Sequence, residues 1–413
     1  MTNKYDLLLK NGELIDPAQG LRGARDIAFR DGRVAALDSE ISSNDAREVV
    51  DATGRIVTPG LIDIHGHYFQ HIVPFATSAD EVCLPNGVTT TVDAGSSGWL
   101  HFEGFKEFIL TREQTRLMAL VNLSALGMMS PRRSIGEDFG PTIGISGGPQ
   151  TQLDPRSVGE LQDLRYAQVE EAVQCIKDNP NVVLGVKIRI DHEISGEANT
   201  IGEANTIPAL ERARAVADMT DSFVMVHVAR VPIPLAQVFE YLRPGDIVTH
   251  IFHSAENNVL DEKGNVRTEV REAREKGIVF DIGAARRNFG ISLSLTAISD
   301  GLLPTTLSSD ITKVRPQSPV IYNLPQIMTP YMALGMSLEE VIAATTMHSS
   351  NAIGESGRLG TLAVGAVGDA TVIDLEEGEF TYDDGNGESI STDRRIAPVI
   401  TLKDGIVWKP GEA

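Results

Sequence analysis

At 413 residues with 42% hydrophobic content, the chain is too long for one ordinary small domain and rich enough in apolar residues to bury a sizeable core. A formal net charge of −21 argues against a nucleic-acid partner, because phosphate binding needs a basic surface. No run approaches the roughly 18 apolar residues of a membrane span, the start Met1-Thr2-Asn3-Lys4 lacks the pattern of a signal peptide, and the two cysteines, Cys83 and Cys175, are too few for a disulfide scaffold or a Cys-rich zinc site, so a cytoplasmic protein with no membrane partner is expected.

Residues 5–57 hold short apolar runs broken by Asn11-Gly12 and Asp31-Gly32, the turn dipeptides that signal hairpins. The same grammar returns at the C-terminus in Asp369 to Asp374, Val399 to Leu402 and Asp404 to Val407. Neither end has enough apolar residues to close a core alone. The two are therefore expected to combine into one discontinuous β-sandwich domain, residues 1–58 plus 358–413, with the acidic run Glu376 to Asp384 as a solvated loop.

Between residues 59 and 357 strand-like runs alternate with helical stretches, the rhythm of βαβ units and a parallel sheet. Eight candidate strands can be counted: Ile62 to His67, Thr89 to Ala94, Leu117 to Leu126, Val182 to Ile190, Phe223 to Val228, Ile247 to Phe252, Val279 to Ile282 and Thr305 to Ser309. Eight strands close a (β/α)₈ barrel, the expected fold of residues 59–357. Helices are expected over Ser157 to Lys177, Ile207 to Met219 and Val266 to Lys276, and over Ser337 to Thr345 with Ser337 as N-cap. The Gly- and Pro-rich stretch from Gly127 to Pro155 reads as a long loop, of the kind that serves as a lid or binding loop.

Active sites of such barrels lie at the C-terminal strand ends, so polar residues there are the ones to collect. Strand one ends in His65-Gly66-His67, whose i, i+2 spacing puts two imidazoles on one strand face, as a metal chelate needs. Strand four carries Lys187 inside an apolar run, strands five and six carry His227 and His250, and strand eight ends in Asp310. His253, three after His250, would fall on the opposite face of a continuing strand and reads as a loop residue. A substrate carboxylate would need a cation at the same end. Arg189 shares the face of Lys187; Arg230, and Arg286 with Arg287 just past strand seven, are the favoured candidates.

This constellation resembles the amidohydrolase superfamily over essentially the whole chain, and more narrowly its dihydroorotase-like deacetylase branch, through Thr249-His250-Ile251-Phe252-His253 and Leu324-Pro325-Gln326-Ile327-Met328. The resemblance implies two divalent metal ions, with zinc the expected metal: His65, His67 and Asp310 holding one, His227 and His250 the other, and Lys187, carboxylated by CO₂, bridging them. Related D-aminoacylases bridge their metals with a cysteine in a Gly-Asn-Cys-Gly stretch, where this chain reads Gly95-Ser96-Ser97-Gly98. Without a thiol there, Lys187 is the better bridge. The implied activity is hydrolysis of an amide or ester in a small molecule carrying a carboxylate, removing acetyl from N-acetyl amino acids or O-acetyl hydroxy acids, with Asp310 as proton shuttle. The alternatives are a cyclic-amide hydrolase of the dihydroorotase or hydantoinase kind, and a metal-binding barrel without catalysis. Whether the chain acts alone or as a homo-oligomer is left open by the sequence.

Overall fold

The computed structural model describes residues 3–129, 160–161, 163–195, 203–284, 288–313 and 323–409. The loop expected from Gly127 to Pro155 lies, beyond Met129, outside the described residues, as do Arg286 and Arg287. The first five strands are β1 (Tyr5–Asp16), β2 (Leu21–Arg30), β3 (Arg33–Asp38), β4 (Ala46–Asp51) and β5 (Ile56–Pro59). Seven follow: β6 (Leu61–Gly66), β7 (Val88–Gly98), β8 (Arg116–Asn122), β9 (Val183–Arg189), β10 (Phe223–His227), β11 (Ile247–Thr249) and β12 (Val279–Asp281). The chain ends with β13 (Ala370–Asp383), β14 (Ser389–Lys403) and β15 (Ile406–Val407).

The terminal strands share one sheet, in the order β15-β14-β13-β5-β1-β2-β3, with β4 also on β1. One core cluster joins Leu7, Leu9, Leu14, Ile27 and Phe29 from the N-terminus to Val372 and Leu402 from the C-terminus, so each end supplies what the other lacks. Within β1, Asn11 takes a left-handed φ of 63°, and the register shifts between Leu9 and Gly12. Its N–H donates to the buried Asp26 carboxylate (3.0 Å), which also accepts from Lys10 Nζ (2.8 Å) and from the N–H of Ile41 (2.8 Å). Desolvation pushes the Asp26 pKa up, but these three donors outweigh it and hold the carboxylate below its usual range. Because the folded value is depressed, the stabilisation is present above the unfolded pKa of about 4 and is lost as pH falls through the folded value. Asp26→Ala is expected to lower unfolding free energy by about 2 kcal/mol at pH 7 and by progressively less as the pH falls below about 4, as urea titrations across that range would read.

The acidic run departs from expectation. β13 continues to Asp383, and Glu376 and Glu377 lie opposite Arg395 and Arg394 of β14. The ladder, with ion pairs such as Arg395 to Glu376 (2.6 Å), holds as a strand what reads in sequence as a solvated charge run. At its tip the buried Asp384 accepts from Ile291 N (3.3 Å), Glu388 accepts from Ser292 N (2.9 Å), and Asn386 donates to Phe289 O (2.7 Å). The hairpin thereby grips the start of the helix Ile291–Ser299.

Gly60, between β5 and β6, carries the chain from this sheet to the other. A Cβ there would lie 2.3 Å from Thr89 Oγ1 and 2.9 Å from Asp369 Cβ. β6 to β12 then pair in parallel and in chain order, a curled sheet in a mixed α/β fold. Among the helices between and after them are Val169–Asp178, Glu203–Thr220, Thr268–Glu275, Leu324–Ala333 and Leu338–Thr345. Ser337 caps the last with a capping box through Glu340, as its sequence announces. The first starts at Val169 rather than in the 150s. Side chains alternate as the period of two demands. Val186, Ile188, Val224 and Val226 join the large cluster under the helices, whereas Lys187 and Met225 face the other way. The eighth candidate strand, Thr305 to Ser309, forms only an isolated bridge, Asp281 with Thr306, and Ile311 just beyond it bridges Gly66, so the segment touches both edges of the curled sheet. A left-handed φ of 50° at Asp310 interrupts the ladder there. No helix of the described residues is long and apolar enough to cross a membrane.

Candidate metal centre

His65, His67, Lys187, His227, His250 and Asp310 are all buried at one end of the curled sheet, and the structure brings them together. Asp310 Oδ1 lies 3.4 Å from His65 Nε2 and 3.0 Å from His67 Nε2. Lys187 Nζ is 3.4 Å from His65 Nε2 and 3.2 Å from Met225 Sδ. The rings of His65 and His250 are 5.0 Å apart, those of His227 and His250 4.3 Å. One ligand atom each from His65, His250 and Asp310 fit within 4.8 Å of one another.

Backbone geometry makes this convergence possible. His250 and Asp310 both sit at left-handed φ values, 66° and 50°, so each turns away from the strand direction just where its side chain is needed. Asp310 N–H donates to His65 O (2.7 Å), tying the first and last segments together. Gly95, at φ 80°, lets Lys187 pass, since a Cβ there would stand 2.6 Å from Lys187 Cβ.

The hydrogen bonds also select tautomers. Thr249 Oγ1 spends its proton on Asp281 Oδ2 (2.7 Å), so the 2.8 Å contact with His65 Nδ1 must be donated by the imidazole, leaving the Nε2 lone pair free. His250 Nδ1 likewise faces Gly283 O at 2.7 Å and can only donate, which frees its Nε2. His67 Nδ1 shares a 2.9 Å bond with Ser96 Oγ. Burial pushes the His65 pKa down to about 4 and holds His227 and His250 below the ordinary imidazole value, the former helped by Lys187. Burial also lowers the Lys187 amine to about 7, aided by Arg189 against Asp310 and Asp281. Burial opposes ionisation of Asp310, yet the surrounding His65, His67 and His250 hold its carboxyl well below the usual range. His65, His227 and His250 are therefore neutral imidazoles, beside a readily deprotonated amine and one carboxylate, the forms in which these groups bind a cation.

Several contributors are not apparent from the strand-end search. Asp281 ends β12 as Asp310 ends the eighth segment, and accepts from Thr249, Thr306 and Ser308 at 2.7–2.8 Å; the same search rule applied to Val279-Phe280-Asp281 would have found it. Asp63 accepts from Ser309 Oγ (2.5 Å) and Ser309 N (3.1 Å), fixing β6 against the segment that bears Asp310. Asn288 Nδ2 is 3.4 Å from Asp310 Oδ2. Arg189 is paired with buried Glu160, its Nε 3.0 Å from Oε2, and Asn122 donates to the same carboxylate. Arg230, at φ 60°, has Nη2 3.6 Å from Asp191 Oδ2, and that oxygen is 3.5 Å from His227 Nε2. His253 does not follow a continuing strand: β11 stops at Thr249, and a turn closed by His253 N to His250 O (3.2 Å) carries it inside. Cys83 is buried beside Tyr68, and Cys175 is half-buried.

No family model matches the chain. A deacetylase of Agrobacterium fabrum is 27% identical over 368 residues, 89% of this chain and 82% of that protein. A solved structure described as an adenine deaminase superposes with a TM-score of 0.84 at 27% identity, over 98% of this chain and all of that one. One described as a dihydroorotase gives 0.80 at 26% identity, over 97% and 98% of the two chains. Full-length similarity of sequence and fold to these proteins, with this His/Asp cluster at the strand ends, makes the chain a metal-dependent hydrolase similar to the enzymes of the amidohydrolase superfamily.

Proposed function

We propose that the chain hydrolyses amide or ester bonds at a pair of divalent metal ions, with zinc the expected metal, and removes acetyl from small N-acetyl amino acids or O-acetyl hydroxy acids. The convergence of four histidines, Lys187 and Asp310 at one sheet end carries this reading. The residues suit such ions. His227 Nε2 is sealed from solvent with no hydrogen-bond partner among the described residues, and the tautomers of His65 and His250 leave Nε2 able to coordinate. His65, His67 and Asp310 would hold one ion, His227 and His250 the other, with Lys187 between them after its neutral amine adds to CO₂ and loses a proton. When bound, such ions lower the pKa of a water and polarise the scissile carbonyl.

The chain's own residues do the rest. Asp310 takes a proton from the attacking water at a carboxylate oxygen and returns it to the leaving amine or alkoxide, while Asn288 restrains its other oxygen. Arg230 faces a substrate carboxylate, and Arg286 and Arg287 remain candidates for the same task. Residues 59–357 are read as a (β/α)₈ barrel and residues 1–58 plus 358–413 as a separate β-sandwich domain in a cytoplasmic protein. Metal analysis with turnover of a panel of N-acetyl-D- and L-amino acids and O-acetyl hydroxy acids tests the reading. No bound divalent metal after purification with metal, or turnover of dihydroorotate or hydantoins instead, would overturn it. The second outcome would favour the cyclic-amide alternative, which the likeness to a dihydroorotase structure keeps in view.

Thr249→Val retains the shape of Thr249 but breaks the chain from Asp281 to His65. It is expected to weaken metal binding roughly 10- to 100-fold, as chelator competition would read, with little change in secondary structure.

A further inference from the structure

Arg230 and His253 lie on neighbouring loops, each three residues beyond a metal-site histidine, His227 and His250. Arg230 Nε and both ring nitrogens of His253 are sealed from solvent and have no hydrogen-bond partner among the described residues, and His253 is 1% exposed. An imidazole with two unmatched polar atoms in a protein interior is costly, as is an unmatched guanidinium N–H. The strain is not accidental packing slack. Arg230 is held at φ 60° and His250 at φ 66°, and Asn257, itself at φ 56°, donates to Val231 O (3.0 Å) to lock the two loops together.

Resting on the hydrolase reading above, we propose that Arg230 and His253 form one anion-reading subsite for the substrate's carboxylate, with His253 as a specificity residue outside the metal ligand set. Arg230 supplies the charge. His253 supplies a directional N–H from a buried imidazole whose ring nitrogens have no other partner among the described residues. Asp191 Oδ2 lies 3.6 Å from Nη2, and Nε, without a partner among the described residues, is left for the ligand. A neutral amide in place of the carboxylate can satisfy one of these donors but not the charge, so discrimination is expected for acids over their carboxamides.

The test uses the metal-loaded full chain. Binding of N-acetylglycine, acetate, glycolate and succinate is measured by thermal shift and calorimetry, beside N-acetylglycinamide as the uncharged partner, on wild type, Arg230→Gln, His253→Phe, His253→Gln and the double variant Arg230→Gln/His253→Phe. At least one carboxylate should bind wild type better than its uncharged partner binds. Arg230→Gln and His253→Phe should each weaken it roughly 10- to 100-fold, and the double variant should lose less than the product, because both act on one group. His253→Gln, which keeps an N–H, should recover part of the loss. Metal content and circular dichroism report whether each variant is folded and loaded. The proposal is overturned if no carboxylate of the set binds wild type, or if His253→Phe, folded and metal-loaded, binds as wild type does. Failure of the hydrolase reading looks different: carboxylates bind and the variants respond, but no acetyl compound is turned over.

Discussion

Asp310→Asn is expected to keep most of the bound metal and to lower kcat roughly 10²- to 10⁴-fold, the usual weight of a positioned acid–base group. The substitution isolates the proton chemistry unusually well. Asparagine has the same shape, tolerates the left-handed φ of 50° that Asp310 adopts, and leaves Asp310 N–H donating to His65 O. What is lost is a carboxylate that stays ionised despite its burial. The neutral amide cannot accept and return a proton. Activity and metal stoichiometry are measured on the same preparation. Near-normal turnover would move the base elsewhere, and loss of metal in step with activity would make Asp310 a ligand first and a base second.

Most of the candidate site is legible in sequence because buried parallel strands are so uniformly apolar that each intruding polar group stands out. Lys187 within Val183 to Ile190, His227 after Phe223-Val224-Met225-Val226 and His250 after Ile247-Val248-Thr249 all announce themselves this way, and all are buried at the site. The rest depends on geometry that a period of two does not encode. His253 sits inside because His250 takes a left-handed conformation and ends the strand early. Arg189 looks like a free cation beside Lys187 until Glu160, 29 residues upstream, closes on it. Asp281 hides as an ordinary strand-end carboxylate until Thr249, Thr306 and Ser308 are seen to converge on it from separate segments. The terminal sheet shows the same limit from the other side: charges along Glu376 to Asp383 suggest solvent, and only the facing arginines of β14 make them a strand.

Lys187→Ala is expected to abolish assembly of a metal pair and with it activity, because two cations a few ångströms apart repel strongly without an anion between them. In the protein as folded the amine faces His65 Nε2 at 3.4 Å with Met225 Sδ at 3.2 Å, a setting that offers no carboxylate partner within hydrogen-bonding distance among the described residues. Its lowered pKa, about 7, means that a substantial fraction is the free base at neutral pH, the form that adds to CO₂. An ammonium in that place would repel an arriving cation, whereas a carbamate would attract two. Apoenzyme prepared with chelator at low pH should therefore regain activity faster when bicarbonate accompanies the metal than with metal alone. Small carboxylates supplied to Lys187→Ala are expected to restore a fraction of the metal pair, since they replace the missing anion without the side chain. Native mass spectrometry decides the matter: a fully metallated, active protein in which Lys187 carries no added CO₂ mass would rule out the bridge, and equal reactivation with and without bicarbonate would point the same way.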